Sequence, residues 1–164
     1  MKSRAEVERD AKAAAARPLA EVLACTAATE GLLKGSARAI CFAAGGRIFR
    51  QGERGKGLYV VVRGCLARSA MRRGVRVELG RVREGDLVEL AAALGDGVHT
   101  YTLRAETDGL LLLLPAAALA RALEADAGLR MRLLEELARE VSRGYGACRM
   151  MWVEERHRHA HGAA

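Results

Sequence analysis

The chain has 164 residues, of which 51% are hydrophobic and only 4% aromatic, so it is long enough for one domain with a core of Leu, Val and Ala. Its 27 Lys and Arg residues against 20 Asp and Glu residues give a net charge of +7, which suits a nucleic acid or another anion as a partner. High apolar content with mixed charge excludes a disordered chain. The longest apolar run, residues 110–120, is too short to span a bilayer, and the N-terminus lacks the apolar stretch of a signal peptide. We therefore expect a cytoplasmic protein with no membrane partner.

Residues 1–42 predict an N-terminal helical segment. Ser3 and Glu6 have the spacing of a capping box, and the alanine-rich sequence after them favours helix as far as Pro18. A second helical stretch over residues 18–28 continues less regularly to Ile40. The cysteines are widely spaced and form no Cys-x-x-Cys pair, which indicates free thiols in a reducing compartment. They are Cys25, Cys41, Cys65 and Cys148.

Residues 43–116 have a different sequence pattern. Glycine recurs every few residues, and short runs of β-forming residues lie between the glycines. Many short strands separated by glycine turns are typical of a β-sandwich or β-roll. The predicted fold class is therefore mainly β with flanking helices, a jelly roll of the double-stranded β-helix type. Arginines between Arg68 and Arg83 are interpreted as a solvated face of the sheet. The predicted strands are residues 46–51, 58–63, 75–79, 101–105 and 110–114.

After Pro115, which suits a first helical position, the pattern becomes helical again. Residues 117–152 predict helices whose apolar stripe is longer than one small domain needs to cover. We therefore expect a dimerisation helix and a parallel homodimer; the alternative is a helix that only caps the β-domain. The predicted interface is Leu133, Leu137, Val141, Cys148 and Trp152. Residues 153–164 are a polar tail.

The segment over residues 42–64, FAAGGRIFRQGERGKGLYVVVRG, resembles the opening of cyclic-nucleotide-binding domains. In particular it is similar to the sensor domain of the catabolite-activator (Crp/Fnr) family of bacterial transcription regulators. The order of helical segment, glycine-punctuated strands and long C-terminal helix is similar to that family from about residue 18 to residue 152. The resemblance implies a β-roll sensor domain that dimerises and binds a cyclic nucleotide such as cAMP.

The family has a phosphate-binding cassette, in which a glycine, a glutamate and a leucine open a short helix and an arginine follows before the next strand. Backbone N–H groups and the arginine suit a cyclic phosphate, and the glutamate accepts a hydrogen bond from the ribose 2′-hydroxyl. The resemblance places this cassette between residues 85 and 101. The matching positions are Val88 for the glycine, Glu89 and Leu90 for the Glu-Leu pair, His99 for the arginine and Thr100 for a neighbouring hydroxyl.

Two cassette positions depart from the family. Val88 resists the backbone conformations that glycine adopts, and neutral His99 offers one N–H where arginine offers a fork, with a charge only below roughly pH 6.5. We therefore expect cAMP or cGMP to bind weakly or not at all at neutral pH. Tyr145 falls near the helix position that contacts the base in the family, where it either stacks on a purine or packs in the dimer seam.

The family's DNA-binding helix-turn-helix needs about 50 further residues, whereas 12 residues follow Trp152. We therefore expect no sequence-specific DNA binding by this chain alone. Three alternatives stay open: the chain signals through a protein partner, its sensor domain stands alone, or a regulator has lost its output domain. The histidines of the tail, His157, His159 and His161, have metal-binding chemistry but no supporting structure, so no metal site is expected.

Two classes of function stay open. The first is a cyclic-nucleotide-type sensor domain with an altered cassette, and the second is a ligand-free β-roll that acts as a protein-interaction or dimerisation module. Glu89, His99 and Thr100 together would suit acid–base chemistry in a cupin-like barrel. Because the sequence offers no metal triad for such a barrel, we expect no enzyme.

Overall fold

Two antiparallel sheets form the body of the protein in the computed structural model, which describes Asp10, Ala13 and residues 21–143. The strands are β1 (Arg38–Phe42), β2 (Arg47–Phe49), β3 (Gly57–Arg63), β4 (Leu66–Arg72), β5 (Val75–Val82), β6 (Leu87–Val88), β7 (Thr102–Ala105) and β8 (Gly109–Pro115). Their order is β1-β8-β3-β6 in the first sheet and β2-β7-β4-β5 in the second. This arrangement confirms the predicted β-roll with flanking helices.

Four helices flank the sheets within the described residues. They are α1 (Ala27–Ser36), α2 (Leu90–Leu94), α3 (Ala116–Ala125) and α4, which is helical over residues 127–143; residues 21–23 are helical as well. None of the helices in this part of the chain is both long and apolar enough to cross a membrane.

The first sheet lies between two hydrophobic cores, which explains the unbroken apolar runs of β3 and β8. Alternate residues of a strand point to opposite faces. Leu58, Val60 and Val62 of β3 accordingly pack with the helices, whereas Tyr59 and Val61 pack with the second sheet inside the roll. Leucines of β8 divide between the cores in the same way. A strand that is buried on both faces reads as a continuous apolar run.

The predicted N-terminal helical segment is wrong at its C-terminal end, because β1 occupies Arg38–Phe42 and pairs with β8. Strand β1 lies at the edge of its sheet and is only half-buried, so its sequence lacks the apolar run that marks β3. Strands β4 and β6 were also not predicted. Pro115 ends β8 and precedes α3 rather than opening the helix. The predicted capping box at Ser3 lies outside the described residues.

The C-terminal helical region is broken at Asp126, which ends α3 and caps α4. The Asp126 Oδ1 accepts from the Leu129 backbone N–H at 2.9 Å, and Oδ2 accepts from the Thr26 N–H at 3.0 Å. These two backbone donors hold the pKa of Asp126 below its ordinary value. One short side chain therefore starts the last helix and ties it to the segment that precedes α1.

Two residues of the predicted dimer interface, Leu133 and Leu137, lie on the face of α4 that packs on the domain. Leu133 is only 2% exposed and belongs to the core beneath the helices, and Leu137 packs against the same core. Both side chains are therefore engaged within their own chain. Val141 is 60% exposed, Met131 is 58% exposed and Leu134 is 46% exposed. The predicted interface residues Cys148 and Trp152 lie outside the described residues.

We expect Gly57→Ala to destabilise the protein strongly. Gly57 has φ +150°, and a Cβ there would overlap the Leu114 carbonyl and lie 2.8 Å from the Ala116 nitrogen. Strain and overpacking together predict a loss of about 3 kcal/mol in the free energy of unfolding, measured by urea denaturation.

Gly31→Ala is the matched control, because Gly31 lies within α1 and a Cβ there meets nothing within 4 Å. That substitution should stabilise the protein by about 0.5–1 kcal/mol. Equal unfolding midpoints for the two variants would contradict the packing of β3 against β8.

Candidate functional site

The turn that opens the predicted cassette is made by Glu89 and not by the residue before it. Val88 is an extended residue of β6, fully buried and paired with Tyr59 of β3, whereas Glu89 has φ +68° and ψ +37°. This left-handed conformation is rare for a residue with a side chain. The expectation that Val88 would have to replace glycine at the turn is therefore wrong. The short helix α2 begins directly after Glu89.

The backbone amide of Glu89 is already bound. It donates a hydrogen bond to the Tyr101 hydroxyl oxygen at 3.0 Å, and both groups are buried. The Tyr101 ring belongs to the core inside the roll. Burial of this ring raises the pKa of the Tyr101 hydroxyl well above its ordinary value. The neutral Tyr101 hydroxyl thus accepts the hydrogen bond that this backbone amide would donate to an anion in the family's cassette.

Both oxygens of the Glu89 carboxylate are hydrogen-bonded by two residues of the loop before β7, an arrangement that we call the closure of Glu89. The Oε2 atom lies 3.0 Å from the Nδ1 of His99, and Oε1 accepts from the Thr100 hydroxyl at 3.2 Å. The Thr100 backbone N–H also donates to Oε2 at 3.3 Å. Glu89 is 1% exposed, so both carboxylate oxygens have protein partners in place of water.

His99 is held by packing as well as by Glu89. It is 3% exposed, and its ring stacks on Phe49 with centroids 3.7 Å apart and planes 5° from parallel. Tyr59 lies further away, at 6.3 Å between ring centroids. With its proton on Nδ1, the imidazole donates to the carboxylate of Glu89. The ring is therefore oriented toward Glu89 and is not free to reach an exposed anion.

A cleft of about 460 Å³ lies beside His99. Phe49, Tyr59 and His99 contribute to its lining, together with the exposed cations Arg47 and Lys56. Its volume is in the range that small ligands occupy. An occupant would contact the same histidine that closes the Glu89 carboxylate.

The structure thus brings together three of the predicted cassette residues, namely Glu89, His99 and Thr100. Leu90 is buried in the core under the helices and Val88 in the core inside the roll, so neither offers a side chain to a ligand. Tyr145 lies outside the described residues. No metal-binding cluster of three His, Cys, Asp or Glu side chains occurs in the part of the chain that the structure describes; the tail histidines lie outside it.

Sequence reasoning missed the aromatic partners Phe49 and Tyr101, and it misplaced Arg68. The prediction that Arg68 lies on a solvated face is wrong, because its Cζ lies 5.6 Å from the centroid of the buried Tyr101 ring. A signal was available: Leu66, Arg68 and Ala70 alternate along one strand, so Arg68 shares a face with two apolar residues.

The fold agrees with the comparison to known families. Residues 39–126, more than half of the chain, match the family model of the cyclic nucleotide-binding domain. The chain belongs to the cyclic nucleotide-binding domain family. The predicted resemblance is thereby confirmed at the level of the family. Among proteins of curated function, none matches the chain closely.

Solved structures of bacterial transcription regulators have the same fold. The sensor domain of the regulator DNR from Pseudomonas aeruginosa is 21% identical, with a TM-score of 0.66 over 75% of this chain and 90% of that one. The catabolite activator protein of Thermus thermophilus is 23% identical, with a TM-score of 0.68 over 84% of this chain and 64% of that one. The N-terminal domain of a regulator from Streptomyces coelicolor A3(2) is 26% identical, with a TM-score of 0.59 over 82% and 94% of the two chains.

We expect the Glu89 carboxyl to make stability depend on pH. Burial raises its pKa above the ordinary value of 4.5, although His99 and Thr100 counteract this. The folded protein therefore binds this proton more tightly than the unfolded chain. This contribution to the free energy of unfolding is fully present below pH 4.5 and is lost as the pH rises through the raised pKa.

Glu89→Gln removes this titration but keeps a side chain that accepts hydrogen bonds. Its free energy of unfolding, measured by urea denaturation between pH 4 and pH 8, should decline less with rising pH than that of the wild type. The Glu140 carboxyl, whose pKa burial also raises, is present in both proteins and cancels in the comparison. Parallel pH profiles would show that Glu89 is not desolvated.

Proposed function

We propose that this chain is the regulatory sensor domain of a cytoplasmic Crp/Fnr-type transcription regulator, with an altered cassette that binds cAMP or cGMP weakly or not at all at neutral pH. The family membership supports the sensor role. The observation that carries the altered ligand response is the closure of Glu89, whose two oxygens are bound by His99 and Thr100.

This closure bears directly on nucleotide binding. A ribose hydroxyl that donates to Glu89 has to replace an existing contact within the protein. A phosphate meets His99, whose Nδ1 faces a carboxylate. Binding therefore requires the cassette to open, which reduces the observed affinity.

The second candidate is a ligand-free β-roll that acts as an interaction or dimerisation module. The exposed apolar residues of α4 favour it: Met131, Leu134 and Val141 follow one another at spacings of three and seven. This is the period of a coiled-coil seam. In the sequence, the same period continues at Tyr145, Cys148 and Trp152.

We propose that this seam pairs with a second copy in a parallel homodimer. Leu133 points into the domain and takes no part, whereas Val141 keeps its predicted role. Both candidate functions are compatible with such a dimer, so the nucleotide experiment has to decide between them.

Calorimetry with cAMP and cGMP at pH 6 and pH 8 tests the altered cassette. The wild type should bind weakly or not at all at both pH values, because the Glu89 carboxylate is already bound by His99 and Thr100. His99→Arg should raise the affinity about ten- to hundred-fold, the usual worth of a charge-assisted contact. Tight and pH-independent binding by the wild type would contradict the proposal.

A second variant separates the two candidate functions. His99→Arg combined with Val88→Gly gives this chain the family's residue types at both aligned positions, and circular dichroism establishes whether the protein still folds without the buried Val88 side chain. If a folded double variant binds neither nucleotide at either pH, the interaction module becomes the better description. His99→Asn, which brings no charge, is the control for the single substitution.

Sedimentation velocity at micromolar concentration tests the seam with two matched variants. Val141→Glu should give monomers, because a two-fold dimer would bury both carboxylates and weaken association roughly a hundred-fold or more. Val75→Glu should remain a dimer, because Val75 is equally exposed, at 63% against 60% for Val141, but lies in β5. A monomeric wild type would refute the dimer.

A further inference from the structure

Strand β1 is an outermost strand whose free edge lacks the usual protection. The other outermost strands are β6 in the same sheet and β2 and β5 in the second sheet. Strand β6 has only two residues and β2 only three, whereas β5 carries Arg76, Glu78 and Arg81. Short length and charged side chains are features that keep an edge from pairing with another chain. In β1 the four residues after Arg38 carry no charge.

The register of the sheet shows which backbone groups of β1 point outward. Val61 of β3 forms its backbone hydrogen bonds with the two residues that precede β6, so its partner in β8, Leu111, directs its own N–H and C=O toward β1. The residue of β1 opposite Leu111 is Ile40. Because neighbouring residues of a strand alternate in this respect, Ala39 and Cys41 direct their N–H and C=O groups away from β8. In the part of the chain that the structure describes, these groups have no hydrogen-bond partner.

The cleft of about 460 Å³ lies beside this free edge. Residues 40–42 of β1 and residues 47–49 of β2 contribute to its lining, so the cleft lies between the outermost strands of the two sheets. Ile40, Phe42 and Ile48 are half-buried and pack against the core inside the roll. An apolar side chain that enters the cleft from outside would therefore extend this core and leave water.

The charges of the cleft favour an acidic occupant. Three exposed cations belong to its lining, and we call them the rim cations: Arg47, Arg54 and Lys56. Within the described residues, Arg47 and Lys56 form no ion pair, and the Arg54 guanidinium donates to the Asp96 carbonyl at 3.5 Å. The carboxylate in the lining, that of Glu53, already accepts from a backbone N–H at 3.0 Å. An incoming carboxylate can therefore contact the rim cations without breaking an ion pair of the protein.

We propose that the edge of β1 and the adjoining cleft bind an extended acidic segment of a partner protein by strand addition. The segment pairs with the outward backbone groups of Ala39 and Cys41, and its alternate side chains face the cleft. An apolar side chain enters the cleft, and carboxylates on either side of it contact the rim cations. Backbone pairing thus supplies affinity, and the cleft with its rim selects the sequence of the segment.

This surface is distinct from the cassette and from the dimer seam. His99 contributes to the lining of the cleft, but Glu89 and Thr100 do not, and none of the described residues of α4 does. Strand addition to β1 therefore goes beyond the nucleotide response and the dimer, and its failure would leave both standing. A nucleic acid would be attracted by the rim cations but would use neither the strand edge nor the apolar lining.

Fluorescence anisotropy with a labelled peptide tests the strand edge. The probe is Thr-Glu-Thr-Ile-Thr-Glu-Thr, in which one face of the extended chain carries two carboxylates and an apolar side chain between them. The wild type should bind it, and more weakly as salt is added. Cys41→Pro removes an outward N–H and leaves the pairing of Ile40 with β8 intact, so it should weaken binding about tenfold. Cys41→Ala keeps this N–H and is the matched control, which should bind as the wild type does.

Charge reversal tests the rim cations. Arg47→Glu combined with Lys56→Glu should abolish binding of the acidic peptide, and this variant should bind the same peptide with Lys in place of Glu. Arg121→Glu combined with Arg130→Glu is the matched control, because both are exposed helical arginines outside the cleft and the net charge changes equally. The control should bind the acidic peptide as the wild type does. Circular dichroism establishes that each variant folds.

Methylated peptides cover the case in which Cys41→Pro does not fold. A strand that is added at one edge donates through alternate residues. N-methylation of one alternate set of residues should therefore abolish binding, and methylation of the other set should preserve it.

Equal affinities of Cys41→Pro and Cys41→Ala, equal effects of the two methylated peptides, or equal effects of the two charge reversals would overturn strand addition at β1. So would the absence of binding to the wild type at about 1 mM peptide. A Cys41→Pro protein that sediments as a monomer while the wild type is a dimer would assign the edge to a second copy instead. An oligothymidylate that displaces the peptide and binds Cys41→Pro as it binds the wild type would assign the rim cations to nucleic acid.

Discussion

Burial of the first sheet on both faces is the constraint from which the rest of the structure follows. Strands β3 and β8 each send alternate side chains into the helical core and into the roll. Each fully buried Leu or Val contributes about 1.5–3 kcal/mol by leaving water. The helices must therefore cover one face and the second sheet the other. The register of β6 on β3 then places Glu89 at the end of the sheet, beside the loop that carries His99.

The core inside the roll differs from the core under the helices in its polar content. The helical core consists of aliphatic side chains, whereas the roll encloses rings whose polar atoms need partners. Tyr101, Glu89 and His99 supply these partners to one another, and Phe49 supports the imidazole. Such a network is stable only when its members are satisfied. A ligand at the cassette must therefore replace internal contacts.

Helix α4 connects this interior to the surface that we assign to a partner. Leu133 packs inward, Glu140 reaches Arg68, and Val141 points to solvent. The three side chains lie within nine residues of one helix, so its position is set jointly by the apolar core, one ion pair and the partner copy in the proposed dimer. The apolar contribution holds the helix on the domain.

The fold class could be predicted from the sequence, because glycine turns and β-forming runs are local patterns that require no knowledge of the partner strand. The resemblance to the family's cassette also grouped Glu89, His99 and Thr100 in one site. The sequence did not show β1, since an edge strand is half-exposed and lacks a strong apolar pattern. Nor could it separate the two stripes of α4, because Leu133 and Leu134 differ only in the direction that each faces.

The hydrogen bonding and burial of the site residues depend on contacts between elements that are distant in the sequence. The residue that turns the chain is Glu89 and not Val88, because pairing of β6 with β3 keeps Val88 extended. The closure of the carboxylate depends on a loop ten residues further along. The exposure of Arg68 depends on β7 and α4, which lie far from it in sequence. Hydrogen bonding and burial of this kind depend on which residues the fold brings together, and the order of residues along the chain does not give those contacts.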